Sequence, residues 1–333
     1  MLKRNFLLVT FLICLGSCNK VVKNEINQSN MEEINASNIS EKIFKSVKHY
    51  PEEPYYFLEI KNILGCTFEI LVNDVPTFKF FQEDQVSAEV DVQLMILKSG
   101  PQKITYKLYP IGKRENGDVI DKLPDWTEVD LNILKINKKK VDPYMSKEIL
   151  LEHHSLKKPD GKTFIAAGEN YYEHSFTFNA QVPYENKGWS NSKDLRKMDQ
   201  KELLQKTEAA YQQVWNLIND KKADDYFKLT FHSQAEIGQS GYIGQEEVDD
   251  VVSDELFPFK EPSYKIEPLE NYKMVLYGDG KLVCLEQNNT NPLLRKEFVL
   301  WGKYKNESGN TRARFTGLYL HIPEGKTGFE IIR

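Results

Sequence analysis

The hydrophobic period changes twice along this chain, and that switch limits the folds open to it. Across residues 86–97 apolar side chains fall on every second position (Val86, Ala88, Val90, Val92, Leu94, Ile96), which puts them on one face of a strand. From Leu203 the spacing becomes three and four (Leu203, Thr207, Ala210, Tyr211, Val214, Ile218), the signature of one helix face. Past Pro262 the period returns to two. Strands, then helices, then strands exclude a helical bundle and an alternating βα repeat, so the class is mainly β with an α+β portion. The length of 333 residues suits about two domains.

Short strand patterns occupy 55–60, 67–72, 76–81, 86–97, 104–108, 129–133, 164–167 and 173–182, with turn chemistry at Asn73-Asp74 and Ser99-Gly100. Seven or so antiparallel strands over residues 53–185 resemble an immunoglobulin-like β-sandwich in architecture. The Cys, Trp, Cys spacing of true immunoglobulin domains is absent. A polar stretch, 186–198, reads as a linker. Asp199 is then placed to cap a helix, with Glu202 three residues on. Further helical patterns cover 223–237 and 245–256, and strands follow around an Asp279-Gly280 turn up to 329–332. This second domain, 199–333, is expected to lay helices on an antiparallel sheet. Three helices across a curved sheet would resemble the nuclear transport factor-like cone fold.

At the N-terminus, Lys3 and Arg4 precede an apolar run over residues 6–15, which is shorter than the roughly 20 residues a membrane-spanning helix needs. The run ends in Leu15-Gly16-Ser17-Cys18, which resembles the lipobox of bacterial lipoproteins. The resemblance implies that residues 1–17 are a signal peptide and that Cys18 is the lipid attachment site and mature N-terminus. It also implies a chain anchored in the bacterial envelope, with Asn19 favouring the outer membrane. Residues 18–52, rich in Asn, Ser, Glu and Lys, read as a flexible tether, with a short amphipathic helix over 39–47. Cleavage removes Lys3, Arg4 and no acid, taking the formal net charge from −5 to −7. A mildly acidic chain with no long basic run is not a nucleic-acid binder.

Tests for chemistry return little. The Gly-Lys-Thr triplets at 161–163 and 325–327 lack the upstream Gly of a phosphate loop and read as hairpin turns. Gly238, Gly241 and Gly244 read as a flexible loop. The adjacent His153 and His154 diverge on any regular element, and no metal or nucleophile motif is present, so no cofactor is expected. A site assembled from distant residues, such as His174 with Glu152, is the enzymatic alternative. Cys66 and Cys284 read as buried reduced thiols. Two binding constellations stand out. Glu246, Glu247, Asp249, Asp250, Asp254 and Glu255 form a dense acidic helix face that could dock a basic protein, as in an immunity protein covering a toxin. Trp126, Trp189, Tyr171 and Tyr172 lie in or beside loops, where exposed rings could stack on a glycan. The expectation is a membrane-anchored, non-catalytic binding module with a protein or glycan partner in the envelope.

Overall fold

The computed structural model describes residues 25–26 and 33–333; Cys18 and the signal sequence lie outside the described residues. A helix, α1 (Ile39–Ser46), precedes ten strands: β1 (Pro54–Leu64), β2 (Thr67–Val72), β3 (Val75–Phe80), β4 (Ala88–Asp91), β5 (Gly100–Tyr109), β6 (Gly112–Lys113), β7 (Val119–Ile120), β8 (Glu128–Asn137), β9 (Glu148–His154) and β10 (Tyr172–Ala180). Eight of them form two antiparallel sheets, ordered β4-β1-β8-β9 and β10-β5-β2-β3. Alternation puts Leu58, Ile60 and Ile133 of one sheet against Phe68, Ile70, Ile104 and Tyr106 of the other in a shared buried core. The sandwich architecture read from the strand patterns is present.

Its details differ where side chains replace the backbone ladder. The twelve-residue stripe over 86–97 is not one strand: β4 ends at Asp91 and a 3-10 turn spans Gln93–Met95. The Asp91 carboxylate accepts the Gln93 N–H at 2.9 Å, and the buried Gln93 side chain accepts the Tyr56 N–H at 3.1 Å. The apolar positions still face inward, so the pattern holds while the element changes. Residues 164–167 form a turn that buries Phe164, not a strand. β9 was hidden by the adjacent Leu150 and Leu151, which break alternation next to a bulge at Ile133/Leu134.

The second half contains α2 (Gln200–Asn219), α3 (Ala223–Gly241) and α4 (Gln245–Lys260). They are followed by β11 (Lys265–Ile266), β12 (Tyr272–Tyr277), β13 (Leu282–Gln287), β14 (Trp301–Lys305), β15 (Thr311–Phe315), β16 (Leu320–His321) and β17 (Glu330–Ile331). The Asp199 carboxylate caps α2 by accepting the Glu202 N–H at 2.8 Å. Tyr211 locks that helix to the sheet, donating to the Leu318 carbonyl at 2.6 Å and accepting the Leu285 N–H at 2.9 Å. The strands make two sheets, β11-β14-β15 and β12-β13-β16-β17, not the single curved sheet expected. One run joins them: Glu297 and Val299 bond to Gln287 and Leu285 of β13 before the chain enters β14. Gly238 and Gly241 belong to α3 rather than to a flexible loop.

Two segments expected to be loose are built into the body. Within the expected tether, Ile39 and Ile43 of α1 are buried against α3 and α4, joined by Ile34 and Val47. Their spacing of four is a helix stripe, and its burial offsets the polar composition around it. The expected linker carries the buried Trp189 and Leu195 and is paired to the second half. Lys193 and Leu195 donate N–H groups to Ile322 and Gly280, and Asn191 accepts from Glu324. Its polar look misleads because backbone hydrogen bonds, not apolar side chains, hold most of it.

The two cores also interpenetrate. Leu71 and Val75 pack into the core of the second half, and Tyr242, at the end of α3, packs into the sandwich core. Cys66 and Cys284 are buried free thiols; burial pushes the Cys66 thiol up to about 12.

Candidate functional site

Both faces of β2 and of β13 are covered, so their polar side chains lie inside the junction between the halves. Glu69 on β2 and Glu286 on β13 are each 1 % exposed. Lys296 donates to the Glu69 carboxylate and, at 2.9 Å, to the Tyr109 hydroxyl, which itself donates to Glu69 at 2.6 Å. Burial pushes the Glu69 carboxyl up, but Lys296 and the two hydrogen bonds outweigh it and hold the group below its ordinary range. Lys79 donates to the Lys296 carbonyl and reaches Glu286 at 3.5 Å, where the Tyr277 hydroxyl also donates at 2.6 Å. This side of the junction is closed by charges paired with one another, although the buried Glu286 Oε2 accepts no hydrogen bond among the described residues and has only the Lys273 ammonium at 4.0 Å.

The other side is open. A groove of about 1030 Å³ runs along α3, whose face supplies His232, Ala235, Glu236 and Gln239 at positions i, i+3, i+4 and i+7. One wall is the segment 183–191, a second is the hairpin 321–332, and the end of α1 with Lys48 and Tyr50 closes one end. Glu236 fixes the first wall by accepting the Gly188 N–H at 3.0 Å. Gly188 is in the left-handed region at φ 48, and a Cβ there would meet Leu97 at 2.5 Å, so the approach requires glycine. Behind the hairpin wall, Ser192 and the Nδ1 of His321 are 2.7 Å apart. Burial pushes His321 down to about 4, outweighing the opposite pull of Glu330, so the imidazole is neutral at pH 7. Ser192 is 6 % exposed and outside the groove lining, and Glu330 is 4.0 Å from His321, too far to orient it by a hydrogen bond. The pair therefore fastens the hairpin to the segment beside it.

Several groove side chains are uncommitted. The Lys48 and Lys187 ammoniums, the His232 ring, the Glu324 carboxylate, the Asn191 amide and the Tyr50 hydroxyl make no hydrogen bond or ion pair among the described residues. Donors and acceptors of both signs thus face one space from four separate chain segments. Such a surface can hold a polar ligand with mixed charge. Periodicity could have flagged the α3 stripe, but nothing in the sequence places the walls beside it.

The acidic helix face is more occupied than its composition suggests. Asp254 forms a bidentate pair with Arg314, with both contacts at 2.8 Å. Glu247 binds Lys138 of the sandwich at 2.8 Å, and the half-buried Glu255 accepts from the Tyr226 hydroxyl at 2.8 Å. Asp249 accepts from Ser40 in the first turn of α1. Only Glu246 and Asp250 are exposed without a partner among the described residues. Four of the six acids therefore tie α4 to its surroundings, while all but Glu255 remain exposed.

Of the four aromatic candidates, Trp126 and Tyr171 are exposed and the other two are at least partly buried. Trp189 is 5 % exposed, and the half-buried Tyr172 packs against Phe164 and His174. Trp126 is 52 % exposed at the pole of the sandwich, close to where a Cβ on Gly65 would lie. Tyr171 is 44 % exposed and touches Tyr109 on one side, 5.4 Å between ring centroids. His174 pairs with His153 at 5.2 Å between rings; Glu152, its partner in the enzymatic reading, alternates to the exposed face of β9. Among the described residues no group of three or more His, Cys, Asp or Glu side chains could hold a metal, and no helix is long and apolar enough to cross a membrane. No family model, curated protein or solved structure matches this chain.

Proposed function

We propose that this chain is a lipid-anchored protein of the bacterial envelope that works by binding, and that its recognition site is the groove between the two halves. The anchor reading comes from Leu15-Gly16-Ser17-Cys18. The site reading is carried by one observation: six uncommitted polar side chains from four chain segments converge on a groove of about 1030 Å³. Clefts between structural units are where binding sites concentrate, because two independently shaped surfaces meet there. The mixture of Lys48, Lys187, Glu324 and His232 suits a polypeptide segment carrying both charge signs.

Site-specific photocrosslinking in living cells tests this. A photoreactive amino acid is placed at His232 in the groove, at Asp250 on α4, or at Trp126 on the pole. The groove position should yield a discrete adduct that the other two do not. An adduct confined to position 250 would restore docking by the acidic helix, and one confined to position 126 would favour the glycan reading. Either result, or no adduct at 232, overturns the groove as the site.

A further inference from the structure

We propose that the folded body is mounted directly on the leaflet that holds the Cys18 acyl chains, with the hairpin 322–329 and the adjoining groove wall toward the lipid headgroups. This rests on the lipid-anchor reading above and adds an orientation to it. The argument begins at the first described residues. Ile26 is 2 % exposed and pairs with Phe329 in parallel register. The Glu25 carbonyl accepts the Phe329 N–H at 2.9 Å, and Ile26 donates to the side chain of Gln213 on α2 at 3.4 Å. The chain is thus fixed to the body at Glu25, seven residues after Cys18.

Seven residues span at most about 25 Å, since each adds no more than about 3.6 Å. A compact body of about 300 residues has a radius of gyration near 19 Å, and hence a diameter of roughly 50 Å. The connection is therefore about half as long as the body is wide. It cannot let the body turn over, and the surface around Glu25 must stay near the bilayer.

That surface can be identified by strand order. β16 pairs with β17, and residues 25–26 pair along the outer side of the same hairpin, while Ser192 pairs with Pro323 on its other side. With strands about 4.8 Å apart, the whole hairpin lies within about 15 Å of Glu25. The same hairpin supplies Glu324, Lys326 and Glu330 to the groove. Its turn residues are exposed and polar, and no exposed large apolar side chain lies there. The contact is with headgroups, without insertion into the hydrocarbon. The pole with Trp126 lies beyond the far end of β1, an eleven-residue strand about 35 Å long that starts at the junction.

The test uses the mature, lipidated protein in phosphatidylethanolamine and phosphatidylglycerol vesicles. Lys326→Cys on the hairpin and Lys162→Cys near the pole are labelled with a donor dye; Cys66 and Cys284 are buried and spared. With headgroup-labelled acceptor lipids, energy transfer from position 326 should exceed that from position 162 at least threefold. Nitroxides deep in the acyl chains should leave the 326 dye unquenched. Equal transfer from both positions, or deep quenching at 326, overturns the proposal. Inserting about 20 Gly and Ser residues after Asn19 adds about 25 Å of mean reach and should abolish the difference. A difference that survives the insertion also overturns it, because tether length would then not be the cause. Failure of the anchor reading looks different: the protein would lack the mass of the lipid and would not bind vesicles at all.

Discussion

The two sides of the junction contrast in how they treat polar side chains. On the sealed side, Glu69, Lys296, Tyr109, Lys79, Glu286 and Tyr277 bond to one another, leaving one Glu286 oxygen without a hydrogen bond among the described residues. On the open side, Lys48, Lys187, His232, Glu324 and Asn191 have no internal partner among the described residues. A buried charge must be compensated within the fold, so the sealed side fixes how the halves meet. An open polar side costs little to keep hydrated and remains available to a ligand. The contrast separates residues that hold the molecule together from residues free to recognise something else, and each can be broken on its own.

The largest effect is expected on the sealed side. Lys296→Met leaves the Glu69 carboxylate buried without its cation and should cost about 3–5 kcal/mol, read from urea unfolding. Adding Glu69→Leu removes the stranded charge and should recover much of the loss. If Lys296→Met alone costs under about 1 kcal/mol, the sealed side does not hold the halves together.

Acidification comes next. Burial holds His321 at about 4, below the ordinary 6.5, so the folded state binds fewer protons than the unfolded chain between those values. Stability is fully present above pH 6.5 and falls as pH drops toward 4, by about 3 kcal/mol from this residue. His153, lowered to about 4 by burial and by His174, adds a smaller loss because it is only partly buried. His321→Gln should flatten the slope of stability against pH over this range; an unchanged slope would show that His321 is not held neutral.

Smaller still is the effect on α4. Asp254→Asn breaks the bidentate pair with Arg314 and should cost about 0.5–1 kcal/mol, while Asp250→Asn should change stability by less than about 0.3 kcal/mol. Equal effects would mean the six acids act as one undifferentiated surface. The smallest change belongs to the groove: His232→Ala with Glu324→Gln should stay within about 0.5 kcal/mol of the parent. A larger loss would move those residues from recognition to structure.

The contrast also explains what the sequence made legible. Strands around Thr67–Val72 and Leu282–Gln287 are readable as β because their apolar runs are. That Glu69 and Glu286 lie within them under cover is not readable, since alternation says which face a residue occupies and not what covers it. The capped start of α2 was legible because Asp199 and Glu202 act locally. The burial of Ile39, Ile43, Trp189 and Leu195 was not, because each depends on residues far along the chain. The acidic run at 246–255 was plain in composition, yet its meaning rests on Lys138, Arg314 and Tyr226, which no spacing rule brings beside it. The groove is the extreme case: only its α3 stripe has a local pattern.

The central claim is that the halves form one body whose fixed junction shapes the groove. Calorimetry of the mature protein tests it most directly, together with the Lys296→Met variant. A single transition is predicted, with calorimetric and van't Hoff enthalpies equal, shifted as a whole to lower temperature by the substitution. Two separate transitions, one of them unmoved by Lys296→Met, would contradict it.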